Sequence, residues 1–431
     1  MRKKLSIYIH IPFCVKKCVY CDFLSFGADD PQINRSGAVR KAYVQSICRE
    51  LLSYKSISKD YIVKTIFIGG GTPSILLPGE IMNILATLRS IFKVDEEAEI
   101  TIEVNPGTLT AIKAAEYLAA GINRMSIGLQ SAHNDELAML GRIHTYEQFL
   151  ASYQTARDAG FRNINVDLIS AIPGQTLHSY LDTLERVLKC RPEHISSYSL
   201  IVEDGTPLAG DQKLLSKLPD EETDREMYEA TGKVLEMSGY KRYEISNYAK
   251  PGYECRHNIV YWTMDEYIGI GIGAASFFNG RRYSNTSDIK QYIDTMEEVF
   301  EKRSIDEAYR IPELLSIRHI DETVDVDTLM EEYVIFGLRM TRGISAADFY
   351  ERFGHSLYDV YGDRLYATAC DAKEEEDCRE SYNSRPEEEY DDNYVPPDYT
   401  IFEFGSDFYN PKQILHTENK YIRRIGATPD N

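Results

Sequence analysis

Short apolar runs recur along the first half of the chain, and most are followed by a segment with helical composition. Leu5–Ile11 alternates apolar with more polar residues and predicts a strand. Thr65–Gly69, Glu99–Val104, Arg124–Leu129, Asn163–Ile169 and His194–Leu200 repeat the signal. The intervening segments are long enough for crossover helices. Ala111–Ala120 and Tyr146–Ala159 have helix-forming composition, with Gly121 and Gly160 placed as terminators. Six β–α repeats predict an α/β fold, a partial (β/α)6 TIM-like barrel wound right-handedly around a parallel sheet.

Beyond about residue 206 the repeat weakens. Asp220–Ser238 predicts an amphipathic helix, acidic in its first turn and followed by Gly239. Tyr243–Ser246 and Ile268–Phe278 are expected to extend the sheet. Asp327–Met340 predicts another helix, and Ser345-Ala-Ala-Asp348 resembles a capping box that opens the next. The expected organisation is therefore 1–205 as the partial barrel, 206–305 as its extension, 306–365 as a small helical C-terminal domain, and 366–431 as an atypical acidic tail.

Composition narrows the class. Of 431 residues, 43% are hydrophobic and 27% charged, ordinary for a globular chain large enough for more than one domain. No run approaches the roughly 18 apolar residues of a membrane span. The net charge of −20 disfavours nucleic acid as a partner, since such binding needs basic patches. Residues 371–398 hold twelve Asp and Glu against three Lys and Arg, nearly half of that excess, and with Pro396-Pro397 they read as linker or disorder. Met1-Arg-Lys-Lys4 is basic but leads into the first strand, so a cleaved leader is not expected. Eight cysteines, three of them in one motif, suit a reducing cytoplasm better than a disulfide scaffold.

Those three are Cys14, Cys18 and Cys21, spaced C-x3-C-x2-C just after the first strand. Three thiolates can hold three irons of a cubane cluster and leave the fourth open, whereas electron-transfer clusters close all four with Cys. The alternatives are unrelated thiols or a zinc site, although structural zinc prefers four ligands in paired modules and no second module follows. Gly69-Gly70-Gly71-Thr72-Pro73 follows the second strand; glycines there permit close backbone approach to a ligand, or simply a tight turn. Glu103 with Asn105, Gln130 and Asp167 fall at later strand ends, where a barrel carries its chemistry, and Arg142 could meet a carboxylate. Each taken alone reads as structural. In Cys255-Arg-His257-Asn-Ile-Val-Tyr261-Trp262 the imidazole and flat rings could ligate and stack on heme, or His257 could be a satisfied core residue. Gly269-Ile-Gly271-Ile-Gly273 reads as close backbone packing.

Taken in order, these strings resemble the radical S-adenosylmethionine superfamily. Within it they resemble the HemW heme-chaperone family, related to oxygen-independent coproporphyrinogen III dehydrogenase. The resemblance is carried by Tyr8-Ile-His-Ile-Pro-Phe-Cys14, the cysteine motif, Gly69–Pro73, Glu103-Val-Asn-Pro-Gly-Thr108, Gly128-Leu-Gln130-Ser131, Asp167-Leu-Ile with Pro173-Gly174, and Tyr243-Glu-Ile-Ser-Asn-Tyr248 leading to His257-Asn-x-x-Tyr-Trp262. It spans roughly residues 5–362.

The resemblance implies a 4Fe–4S cluster on Cys14, Cys18 and Cys21, with S-adenosylmethionine on the open iron. Tyr8, Gly70, Gly71, Thr72, Glu103, Gln130, Arg142 and Asp167 match positions that bind this cofactor. It implies heme as ligand with His257 as the candidate residue, recipient hemoproteins (free or membrane-associated) as partners, and a reductant for the cluster. No catalytic side chain is assigned, and cleavage of S-adenosylmethionine is left open. The dehydrogenase is the alternative; it carries a fourth Cys two places after the third, where this chain has Phe23, and the H-N-x-x-Y-W string belongs to the chaperone side. After about Asp363 the chain departs from the family.

Overall fold

The computed structural model describes residues 2–33, 37–302, 317–362 and 400–401. Two compact units are distinguished, one reaching to Val324 and one beginning at Asp325. The expected acidic tail, apart from Thr400–Ile401, lies outside the described residues.

The first unit is built on one twelve-stranded sheet. Its centre is β1 (Lys3–Ile11), β2 (Tyr61–Gly70), β3 (Lys93–Val104), β4 (Arg124–Gln130), β5 (Ile164–Ser170) and β6 (His194–Ser199), adjacent in chain order. Each pairs parallel with the next. All seven residues of β4 are buried, as expected of a strand whose sheet is covered on both faces. The six expected β–α strands are thus all present.

The crossover helices cover the outside and begin where side chains can satisfy their first amides. Thr145 accepts from the Gln148 amide at 3.4 Å and opens Tyr146–Ala159, which Gly160 ends in the left-handed region at φ 113°. Thr176 does the same for Leu177–Cys190 through Ser179 at 3.1 Å. Asp220 opens Glu221–Met237 through Thr223 at 2.9 Å, matching the expected helix.

The edges were harder to foresee. After β6 the chain makes β7 (Lys241–Arg242) and β8 (Asn247–Ala249), and β8 runs antiparallel to β6. The expected strand Tyr243–Ser246 is instead the bend between them. The buried Glu244 carboxylate accepts the Ser246 amide at 3.0 Å and the Asn247 side-chain amide at 2.5 Å, which turns the backbone out of the ladder. Ile268–Phe278 does extend the sheet, as two strands. β9 (Tyr267–Ile270) lies parallel to β1, and β10 (Ala275–Phe278) returns antiparallel. β11 (Arg281–Asn285) and β12 (Arg318–Thr323) complete that edge. The strand order runs from β12 to β7 without joining, so the barrel stays open.

In the second unit, Val326–Gly337 is capped by Asp325 and Ala346–Phe353 by Ser345, whose hydroxyl accepts the Asp348 amide at 3.1 Å as the sequence pattern suggested. Thr400–Ile401 pairs antiparallel with Ile344–Ser345. Among the described residues no helix is long and apolar enough to cross a membrane.

Candidate functional site

Pro12 ends β1, and the chain then loops out and returns. The loop is pinned at its base: the Phe26 amide donates to Pro12 O at 2.7 Å and the Cys14 amide to Phe26 O at 2.9 Å. His10 Nε2 donates to Leu24 O at 2.8 Å, and Lys17 Nζ to Phe23 O at 3.0 Å. Cys14, Cys18 and Cys21 are consequently half-buried on one loop at the C-terminal end of β1. All three line a cleft of about 430 Å³ that runs along the C-terminal ends of β2 to β6.

Among the described residues, no three Cys, His, Asp or Glu side chains converge at single-ion spacing. A cubane places each thiolate on a different iron, so its ligands stand apart. The sulfurs also have local cationic and hydroxyl company. Thr72 Oγ1 lies 3.5 Å from Cys14 Sγ, and Arg142 Nη1 lies 3.6 Å from Cys18 Sγ. Burial pushes the Cys14 thiol up and the Cys21 thiol up to about 11; Arg142 opposes this at Cys14 and Lys17 at Cys21. Metal ligation deprotonates such thiols outright. These observations fit a cluster on the three cysteines.

Arg142 is held in turn. Its Nη2 donates to Asn105 Oδ1 at 2.6 Å and to Gly128 O at 2.8 Å, and Asn105 Nδ2 donates to Thr72 Oγ1 at 2.7 Å. Within the chain, Arg142 thus sits in an amide-and-sulfur setting.

Glu103 and Asp167 project into the cleft from β3 and β5. Burial first, and the nearby Asp167 second, push Glu103 up to about 8. Asp167 is also raised by burial, against the bonds it accepts from Ser126 at 2.8 Å and Asn165 at 2.7 Å and the attraction of Arg124. Two carboxylates that resist ionisation together favour hydroxyl or ammonium partners over anions. Gln130 also lines the cleft, with its backbone in the left-handed region at φ 75°. That conformation is uncommon in a non-glycine residue.

Gly70, Gly71 and Thr72 border the cleft as well, but the glycines face protein on their other side. The Gly70 amide donates to Glu103 Oε2 at 3.0 Å and the Gly71 amide to Ile11 O at 2.8 Å. A Cβ on Gly70 would stand 2.5 Å from the His10 ring, and one on Gly71 2.9 Å from Phe13 O. Their lack of side chains brings β2 against the root of the cysteine loop. Tyr8 does not line the cleft; its hydroxyl meets His10 Nδ1 at 3.0 Å and its ring stacks on Phe67.

His257 stands apart from this cleft, buried against β2. Its Nδ1 meets Thr65 Oγ1 at 2.7 Å and its Nε2 meets Tyr261 Oη at 3.0 Å, while the ring stacks on Phe67 at 5.3 Å. Both nitrogens are taken, and burial with Arg124 nearby lowers its pKa to about 3. It is the satisfied core histidine that the sequence left as one alternative.

Sequence reasoning passed over Arg124 and Glu99. Both are buried, and Arg124 lies near Glu99, Asp167, Cys255 and Tyr243 at the very start of β4. A lone Arg opening an apolar strand was the available signal.

The radical SAM superfamily profile matches residues 8–187, and the HemN C-terminal domain profile matches 324–377. The chain is 35% identical to the heme chaperone HemW of Lactococcus lactis over 85% of its own length and 89% of that protein's. It is 35% identical to that of Bacillus subtilis over 83% and 89%, and 40% identical to that of Escherichia coli over 64% and 72%. Among solved structures, the coproporphyrinogen III oxidase HemN of Escherichia coli superposes with a TM-score of 0.70 at 23% identity, covering 86% of this chain and 84% of that one; at this identity the likeness is one of fold. With cysteines, strand-end polar groups and long relatives all in agreement, the chain belongs to the HemW family of the radical SAM superfamily.

Proposed function

We propose that this chain is a heme chaperone: it carries a 4Fe–4S cluster and S-adenosylmethionine, binds heme, and delivers it to hemoproteins. The single observation that carries the reading is the convergence of three half-buried thiols with Glu103, Gln130, Arg142 and Asp167 around one cleft. The relatives named heme chaperones supply the cargo.

In this reading Cys14, Cys18 and Cys21 hold the cluster. When bound, the cluster and S-adenosylmethionine supply one-electron chemistry at the sulfonium. Arg142 keeps positive charge beside Cys18 and orients Asn105. Glu103 and Asp167 would take ribose hydroxyls or the ammonium of the cofactor. Gln130 and Thr72 hydrogen-bond it, and Gly70 and Gly71 shape the wall beside it. Tyr8 braces that wall through His10 and Phe67. A reductant for the cluster, a cytoplasmic setting and recipients that include membrane-associated hemoproteins complete the proposal.

Heme ligation by His257 would require its ring to release Tyr261, so we assign His257 to packing between β2 and its own helix. Oxidative decarboxylation of coproporphyrinogen III is the second reading. It is disfavoured by the heme-chaperone names of the relatives and by Phe23 at the place of a fourth Cys.

The test is anaerobic reconstitution of the full chain, followed by heme titration and coproporphyrinogen III turnover on one sample. The expected result is about one cluster per chain, lost in Cys14→Ala, Cys18→Ala and Cys21→Ala, with heme bound and no porphyrinogen consumed. Turnover of coproporphyrinogen III, or a chain that takes up no heme, would overturn the reading.

A further inference from the structure

The cleft changes character from floor to mouth. Its floor carries Glu103, Gln130, Arg142 and Asp167, whereas five large apolar side chains stand exposed at its edge. Val15 is 50% exposed, Phe23 64%, Ile143 57%, Tyr198 42% and Ile201 41%. They come from the cysteine loop, from the segment after β4 and from the end of β6, so three separate parts of the chain are brought to one opening. Scattered exposed apolar residues need no explanation, but a cluster around a cleft marks a ligand or partner surface.

Charge narrows what this surface fits. The chain carries a net −20, which repels anions in general. Beside Val15 the rim nonetheless presents two consecutive exposed lysines, Lys16 and Lys17, and Lys17 also braces the Phe23 carbonyl. Asp22 and Glu203 share the rim, and its exposed cations are the adjacent Lys16 and Lys17. An apolar platform beside two adjacent cations matches a flat macrocycle that bears carboxylates along one edge.

We propose that the mouth of the cleft is the heme-docking surface. The porphyrin face rests on Phe23, Ile143, Tyr198 and Ile201, and the propionates point toward Lys16 and Lys17. This assignment rests on the heme-chaperone reading and deepens it: heme sits over the cysteine loop, and His257 is not part of its site. The polar floor remains for S-adenosylmethionine.

The test uses the full chain with its cluster reconstituted. Hemin is titrated against wild type, a Phe23→Glu/Ile201→Glu double variant, a Lys16→Glu/Lys17→Glu double variant and His257→Gln. Charge at two positions of the apolar platform opposes docking of the macrocycle face, so the Phe23/Ile201 variant is expected to bind hemin at least about tenfold more weakly. Its iron content should stay that of wild type, which shows that it has folded. The lysine variant should weaken hemin but leave hemin dimethyl ester unchanged, because the ester lacks the propionate charges. His257→Gln should keep wild-type affinity. Ile201→Glu alone, remote in sequence from the cysteines, repeats the test without touching their loop.

Wild-type hemin affinity in the rim variants, or loss confined to His257→Gln, would overturn the proposal. If the rim variants keep hemin but fail to pass it to an apo-hemoprotein, the surface docks the recipient protein and the heme assignment is wrong. A wild-type chain that takes up no hemin would instead bring down the chaperone reading on which the assignment rests.

Discussion

Glu99 caps the helix that carries His257. From the middle of β3, its Oε1 accepts the His257 amide at 3.0 Å and its Oε2 accepts the Arg256 amide at 3.1 Å. Helices usually cap themselves with a residue just before the first turn. Here the cap comes from a strand 158 positions away and is itself buried, with the Arg256 guanidinium 4.0 Å from its Oε2. The helix Arg256–Trp262 is thereby tied to the strand that presents Glu103 to the cleft.

Removing this cap should cost stability before it costs chemistry. Glu99→Ala leaves two amides without their acceptor and removes the carboxylate paired with Arg256. Hydrogen bonds to a charged group contribute about 1.5–3 kcal/mol each, so a loss of about 3 kcal/mol is expected in denaturant unfolding. Glu99→Gln keeps one acceptor oxygen and should lose about half as much. An alanine variant as stable as wild type would show that the cap is incidental.

Gly70 answers to His10 rather than to a ligand alone. Gly70→Ala puts a Cβ 2.5 Å from the His10 ring, at φ 112°, and pushes aside the imidazole that anchors Leu24 O and the cysteine loop. The variant should take up markedly less iron and sulfide on anaerobic reconstitution. Gly107→Ala is the matched control: its φ is 85° but nothing stands within 4 Å. It should pay only the left-handed backbone, about 1–2 kcal/mol, and load iron normally. Equal iron in both variants would sink the idea.

His194 should make the fold acid-sensitive. It is buried, its Nδ1–H donates to Asn165 Oδ1 at 2.6 Å, and its Nε2 accepts from Tyr243 Oη at 2.8 Å. Burial and the Arg124 charge hold it well below the ordinary range, so the native ring is neutral. The unfolded ring takes a proton near pH 6.5. Its contribution is therefore complete above about pH 6.5 and is lost as the pH falls, at up to about 1.4 kcal/mol per pH unit. His10 and His144, both lowered to about 4, and His257, lowered to about 3, add slopes of the same sign. Comparing wild type with His194→Gln isolates one residue: the variant should lose less stability between about pH 6.5 and about pH 5. Identical acid slopes in the two chains would refute the assignment.

Much of the site was legible because it is local. Cys14, Cys18 and Cys21 lie within one short loop, and their position just after an apolar strand was evident from the sequence alone. Glu103, Gln130 and Asp167 were found by their position at the ends of apolar runs. The role of the glycines was only half visible, since their freedom to approach something was evident but His10 and Phe13 were not named as what they approach. The bend at Tyr243–Ser246 was missed because alternation favoured a strand, while the Glu244 carboxylate turned back on its own backbone.

The sequence by itself determined the β–α order, the cysteine motif and the strand ends that face the cleft, because hydrophobic period and turn chemistry act over a few residues. Tertiary structure decided the rest. It chose the satisfied setting of His257 over an open one, seated Arg124 among the carboxylates, and gathered Phe23, Ile143, Tyr198 and Ile201 at one opening. Those relations join positions tens to hundreds of residues apart. They depend on which strands lie side by side and how deeply each group is withdrawn from water, and no local pattern carries that information.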